Sequence, residues 1–286
     1  MQLISKKLPM DHNLFLFGDD HEGSILRYKQ GWEKLVDMIH SGYGGLRPSA
    51  NYCVDHGDPI EAIMIDDKRY DGKTTNINIM KQIENAIESR RPIAKKTIAM
   101  VESNHPEKLW RFGPITQEIC KELNIPYGTW SAVISYKNSK GSLMYKHFAT
   151  HGYGSINTSA DDAIRRDSNM KLSLKRKLKD KVGDCALMSM GHTHKILISK
   201  PSSDLFITST KEKHKRLKQK YTQTHQRASY IHPDHRWYVN TGSFLKLYGL
   251  GVSGYAERFG YNPMELGFAI VKVRKGIIVD IEKVVI

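Results

Sequence analysis

Cysteine is scarce in this chain, with three among 286 residues. Cys53, Cys120 and Cys185 are odd in number and far apart, and no pair has zinc-site spacing. This excludes a disulfide framework, and the three are expected as buried, reduced thiols of a cytoplasmic protein. Long apolar runs are missing too. None approaches the roughly 18 residues that span a bilayer, and Met1-Gln2-Leu3-Ile4-Ser5-Lys6-Lys7 has no signal-peptide core. No membrane partner is therefore expected. No internal repeat is present, which excludes repeat architectures.

Acidic residues are the minority. Lys and Arg number 44 against 30 Asp and Glu, a formal net charge of +14. A basic surface attracts polyanions, so nucleic acid is the expected partner, although such a surface can serve solubility alone. The hydrophobic fraction of 40% fits a soluble globular protein long enough to bury a large core.

Apolar runs at residues 13–18, 49–56, 96–101, 142–149 and 184–190 read as buried strands. Residues 26–40 and 76–89 have helical spacing, and 106–123 looks helical with a break at Gly113-Pro114. The alternation of strand and helix implies an α/β layered fold. Residues 267–286 carry two β-rich runs around Lys275-Gly276, a hairpin signal. Residues 165–181 read as an amphipathic helix with a basic face, carrying Lys175 and Arg176. Residues 211–220 are a denser basic run with Lys211, Lys213, Lys215, Arg216 and Lys218.

Five short stretches follow the strand-like runs: Asp19-Asp20-His21, Gly57-Asp58-Pro59-Ile60-Glu61, Asn104-His105, His151-Gly152 and Gly191-His192-Thr193-His194. Ligands of α/β sheets gather outside the carboxyl ends of strands, so five motifs at such ends point to one shared site. Together they supply carboxylate, imidazole and amide ligands, with one histidine left for proton work. Each stretch alone is weak: a lone Asp-x-His is usually an incidental pair, and Gly-Asp is usually a turn.

The order of these motifs resembles the calcineurin-like metallophosphoesterase superfamily over residues 15–244. Val239-Asn240-Thr241-Gly242-Ser243 resembles the strand and turn that follow the last histidine motif there. The resemblance implies a four-layer αββα sandwich, two central mixed β-sheets flanked by helices, as one domain over residues 1–286. It implies two divalent metal ions, Mn²⁺ first, with Zn²⁺, Fe or Ni²⁺ as alternatives. Asp19, His21 and His194 would hold the first metal, Asp58 would bridge, and Asn104, His151 and His192 would hold the second. His105 would contact the phosphate and protonate the leaving oxygen. His56 and His147, near the motifs but outside the pattern, are read as supporting or packing residues, as are Asp20 and Glu22. The third motif departs from the family at Ser103 and Pro106, the second at Glu61, and the first at Glu22 before Gly23, which bears on loop shape and substrate choice.

The expected activity is hydrolysis of phosphodiester bonds through a dinuclear metal site and bridging hydroxide, most readily as a nuclease on DNA or RNA. A basic insertion at about residues 195–238 is longer than the family usually has there, and reads either as a loop or lid over substrate or as a solvated loop without a ligand. Lys175, Arg176, Lys211, Lys213, Lys215, Arg216 and Lys218 are the candidate nucleic-acid contacts. The basic helix could equally be a dimer contact, and monomer and homodimer stay open. Two alternatives remain: an enzyme on small nucleotides, cyclic nucleotides or phosphate esters, and a catalytically silent nucleic-acid-binding protein.

Overall fold

Strand β2 (His12–Phe17) shows how the layers are specified. Its six residues, HNLFLF, are all buried, and successive side chains point to opposite faces. Leu14 and Leu16 enter one apolar cluster, whereas Phe15 and Phe17 enter another with Trp32, Leu35 and Ile39 of helix α1 (Lys29–His40). A strand apolar on both faces needs a covering layer on each side.

The computed structural model describes residues 1–286 except 77, 210–215 and 224. The remaining strands are β1 (Gln2–Lys7), β3 (Asn51–Asp55), β4 (Thr97–Met100), β5 (Ser131–Lys137), β6 (Leu143–Thr150) and β7 (Leu187–Met190). They continue with β8 (Ile196–Ser199), β9 (Leu205–Ser209), β10 (Leu217–Tyr221), β11 (Trp237–Thr241), β12 (Gly267–Arg274) and β13 (Ile277–Val285). The other helices are α2 (Ile79–Arg90), α3 (Asn104–Glu107), α4 (Ile115–Leu123), α5 (Ala163–Leu178) and α6 (Tyr255–Arg258).

The result is an α/β structure with two large mixed sheets and several helices, compatible with an α/β sandwich. One sheet has the order β13-β12-β2-β3-β4 and the other β1-β5-β6-β7-β11-β8. Leu14, Val54, Ala269 and Val271 of the first meet Ile134, Ala149, Leu187 and Val239 of the second in one shared core. On the outer face of the second sheet, Phe148, Met188 and Met190 pack against Leu174 and Leu178 of α5.

Register places the motifs. In the parallel set β2-β3-β4, Phe17 pairs with Asp55 and Asp55 with Met100. In the parallel set β6-β7-β11, Thr150 pairs with Met190 and Met190 with Asn240. Each sheet therefore ends in one row, and each motif begins just past it.

Several expectations shift at their edges. Helix α1 starts at Lys29 rather than Leu26, because residues 26–28 bond the segment after β11: Tyr28 N donates to Phe244 O at 2.6 Å and Lys246 N to Leu26 O at 2.9 Å. The expected break at Gly113-Pro114 is present, with α4 starting at Ile115. Lys275 (φ 51°) and Gly276 (φ 73°) form the β12–β13 turn, the positive-φ pair of a tight hairpin. The three cysteines are buried and unpaired. Among the described residues no helix is long and apolar enough to cross a membrane.

A polar pair sits inside this core. His12 is fully buried; its Nδ1–H donates to Pro9 O at 2.7 Å and its Nε2 accepts from the Tyr145 hydroxyl at 2.9 Å. Burial pushes the His12 pKa down to about 4 from 6.5. The unfolded chain then takes up a proton below pH 6.5 that the folded chain refuses until about pH 4, so this contribution to stability is complete above 6.5 and lost as pH falls between the two. The advantage of the wild type over His12→Gln in urea unfolding should shrink by about 3 kcal/mol between pH 7 and pH 4. A difference that stays constant with pH would contradict this.

Candidate metal centre

The strand ends deliver their motifs through strained backbone. Asp19 (φ 53°), His21 (53°), Asp58 (51°), His192 (69°) and His194 (56°) all adopt the left-handed conformation. Asp and His tolerate that region better than most side chains, yet each such residue still costs about 1 kcal/mol or more. Five such residues among the seven expected ligands bend the backbone sharply after β2, β3 and β7. Two glycines make room: a Cβ on Gly57 would lie 2.6 Å from Ser103 Cβ, and one on Gly191 would lie 2.7 Å from Asp19 Oδ2.

Backbone bonds then lock the loops together. Asp19 N donates to Gly57 O at 2.9 Å and His21 N to Asp58 O at 3.0 Å. Asp58 N donates to Ser103 Oγ at 2.6 Å, and His105 N to Asp58 Oδ1 at 3.1 Å. Across the sheets, His192 N donates to Asp19 Oδ2 at 3.0 Å, and within the second sheet Gly191 N donates to His151 O at 3.0 Å.

All seven expected ligands converge, with His105 beside them. On one side, His21 Nε2 lies 3.2 Å from His194 Nε2, which is 3.3 Å from Asp19 Oδ1. On the other, Asn104 Oδ1 lies 2.8 Å from both His151 Nε2 and His192 Nδ1. Asp58 Oδ2 sits between, 3.3 Å from His151 Nε2 and 3.9 Å from His21 Nε2. Three overlapping sets could each hold a metal ion: Asp19, His21 and His194; His21, Asp58 and His105; Asp19, Asp58 and His151. Ligand atoms within each set lie within 4.8 Å of one another, and all these residues are buried.

The histidines are oriented from behind. His21 Nδ1–H donates to Glu61 Oε2 at 2.7 Å, and His151 Nδ1–H to His56 O at 2.7 Å. His105 Nδ1–H donates to Glu61 O. Each bond fixes the tautomer and leaves Nε2 facing inward, as metal-binding imidazoles are commonly held.

The electrostatics are those of a donor set that protons and cations compete for. Burial opposes charge on His21, but Glu61, with Asp58 and Asp19, outweighs it and lifts the pKa to about 9. His151 rises to about 9 in the same way beside Asp58. Burial, with His151 adding to it, lowers His192 to about 4. Burial also lowers His105. Asp58 stays well below the usual carboxylate range despite burial, because His151, His105 and His21 surround it.

Glu61 and Arg90 are the contributors that sequence reading missed. Glu61, where the second motif departs from the family pattern, is the carboxylate behind His21. Asp20 and Glu22 are engaged elsewhere. Arg90 Nη1 donates to Asp20 Oδ2 at 3.0 Å and Nε to Asp55 Oδ2 at 2.9 Å, and its guanidinium lies 4.6 Å from the Trp32 ring centroid. Arg27 Nε donates to Asp20 Oδ1 at 2.7 Å, and its Nη1 lies 2.6 Å from Glu22 Oε2. A residue at the end of α2 carries no local signal for this role. His56 and His147 are buried and share Ser189 Oγ, at 2.6 and 2.5 Å, the supporting role read from sequence.

Among the described residues, the candidate nucleic-acid contacts do not gather here. Lys175 is ion-paired with Asp234, and Arg176 is exposed on α5. Arg216 and Lys218 are exposed at and in β10, whereas Lys211, Lys213 and Lys215 lie outside the described residues. The β9–β10 hairpin springs from the opposite end of the sheet. Strand β8 leaves the site, Ile196 pairing with Thr241 and Ser199 with Tyr238, and Thr222 Oγ1 bonds His235 at 3.0 Å, before β11 begins. That root does not suit a lid.

No protein-family model matches the chain, and no curated protein matches it. The site therefore rests on its own chemistry. Arg90→Met should destabilise the fold by about 3–5 kcal/mol in urea unfolding, because buried Asp55 loses its cation and Asp20 keeps only Arg27. A loss below about 1 kcal/mol would remove Arg90 from this role.

Proposed function

We propose that the chain is a dinuclear metal-dependent phosphoesterase of the calcineurin-like type, built as a four-layer αββα sandwich, which hydrolyses phosphodiester bonds in nucleic acid. The observation that carries this reading is the convergence of seven donors from five strand ends, with Asp58 between two imidazole clusters. Asp19, His21 and His194 form one ligand set and Asn104, His151 and His192 the other, with Asp58 shared. The donor chemistry fits two divalent cations, Mn²⁺ first, since mixed imidazole, carboxylate and amide ligands suit Mn²⁺, Zn²⁺, Fe or Ni²⁺.

Two divalent cations held by these residues would neutralise a phosphodiester and make hydroxide available near neutral pH. The chain's own residues do the rest. Glu61 holds His21 and His105 together, one through its carboxylate and one through its carbonyl. His105 keeps Nε2 free for a phosphate oxygen and passes its proton to the leaving oxygen. Burial disfavours the charged form of His105, and an anionic phosphate beside it would favour that form. The net charge of +14 favours a polyanionic substrate over a neutral one.

The first test is cleavage of end-labelled single- and double-stranded DNA and RNA with Mn²⁺, with Asp58→Asn as control. Cleavage by the wild type and none by Asp58→Asn is expected. Turnover on small esters but no polymer would move the substrate to a small phosphoester, and no turnover with any divalent metal would leave a silent binding protein. His105→Ala should keep its metal content, read by elemental analysis, while turnover falls about 10²- to 10⁴-fold. Metal loss in that variant would make His105 a ligand instead.

A further inference from the structure

Four tryptophans are present, and they divide cleanly. Trp32 and Trp237 are buried, whereas Trp110 is 47% and Trp130 37% exposed. The exposed two meet each other, ring centroids 6.3 Å apart at 57°. Burying a tryptophan is strongly favourable, so two left half in water at one place call for a ligand.

Their position narrows what that ligand is. Trp110 follows the Asn104-His105 motif by one short helix, and Thr150, the residue before His151, donates its hydroxyl to Trp130 O at 2.9 Å. The pair therefore bridges the two chain segments that carry Asn104 and His151, which bond each other at 2.8 Å. Tyr153, two residues past His151, is 60% exposed. Lys177 Nζ lies 4.5 Å from its ring centroid and donates to Tyr153 O at 2.9 Å. An ammonium and three exposed rings thus flank the segments that carry Asn104 and His151. A flat ring joined to a phosphate meets both demands, because every base offers a π-face and every linkage an anion. A duplex hides those faces in its own stack, and a single strand exposes them.

We propose that Trp110 and Trp130 form a base-stacking platform that seats single-stranded nucleic acid at the edge of the donor cluster, with Lys177 contacting its backbone. This deepens the phosphodiesterase reading and rests on it for the position of the scissile phosphate. It also moves the substrate contact from the basic insertion to the segments beside Asn104 and His151.

The test is binding of a fluorescein-labelled 15-mer oligo(dT) to the full chain in EDTA, read by anisotropy and by quenching of tryptophan emission. Trp110→Ala/Trp130→Ala should raise Kd about 10- to 100-fold, and Trp110→Phe/Trp130→Phe should recover most of the affinity. The quenching should vanish in both variants, since Trp32 and Trp237 are buried. A 15-bp duplex should bind the wild type more weakly and lose little in the alanine variant. Thermal melting of each variant checks that it folds. Unchanged Kd in a folded alanine variant overturns the platform, as does a wild type that binds no single strand. A wild-type dimer that becomes monomeric in the alanine variant with oligo(dT) affinity unchanged overturns it too, and makes the pair a subunit interface. Because the assay needs neither metal nor turnover, failure of the hydrolase reading shows separately, as a chain that binds oligo(dT) through the pair yet cleaves nothing.

Discussion

Asp19 ties the two sheets together at the end where every motif gathers. It follows β2 in one sheet, and its carboxylate takes the backbone N–H of His192, which follows β7 in the other. Its carbonyl accepts from Phe244 N at 3.1 Å and from Ser243 Oγ at 3.0 Å, past the end of β11. Its own N–H is spent on Gly57 O, at the second motif. One residue thus fixes the relative height of four strand ends. Without that tie the two rows of motifs would share a face but not a centre. Gly191 exists at this point because any Cβ would strike the Asp19 carboxylate.

Gathering these groups costs stability. Five left-handed residues at about 1 kcal/mol each amount to a sizeable fraction of the roughly 5–15 kcal/mol by which a domain is stable. The carboxylates and imidazoles are buried as well, and buried charge is tolerated only when paired. The pairing is internal: Asp58 with His151, Glu61 with His21, Asp20 and Asp55 with Arg90. The first two pairs place imidazoles against carboxylates where a cation could replace a proton. The Arg90 pairs cannot exchange in that way, because a guanidinium does not deprotonate in this range. The centre therefore has an inner set of imidazole–carboxylate pairs that could exchange a proton for a cation and an outer set of guanidinium pairs that could not.

Much of this was legible in the sequence, for a physical reason. Strands β2, β3, β4, β6 and β7 are buried on at least one face and read as apolar runs, and the ligands come directly after them. Strand β1 was not legible: its residues are mostly exposed on a sheet edge, so no run or alternation marks it. Glu61 stood in a motif but its role depends on which histidine the fold sets against it. Arg90 lies 35 residues from Asp55 and 70 from Asp20, and no local pattern encodes such a pairing. The start of α1 was misplaced because the 244–246 segment claims the backbone groups that a first helical turn would use. In each case the missing information is long-range.

The position of the basic insertion follows the same logic and bears on what its charge can do. Its hairpin is rooted at the start of β11, and the donors gather past its end. Five strand residues at about 3.3 Å each separate the two by roughly 16 Å. The Debye length at physiological ionic strength is about 8 Å, so exposed charge at that root is largely screened from the donor cluster. On the nucleic-acid reading, Lys218 and its neighbours act on encounter and on distant phosphates, where a summed positive field raises the rate of approach. Lys177 differs in kind: its ammonium bonds the carbonyl of Tyr153, two residues from His151, so its charge is tied to a segment that carries one of the donors. Charge density along the sequence points to the insertion, whereas the bond to Tyr153 selects Lys177 of α5, the helix that packs over β8 and β11.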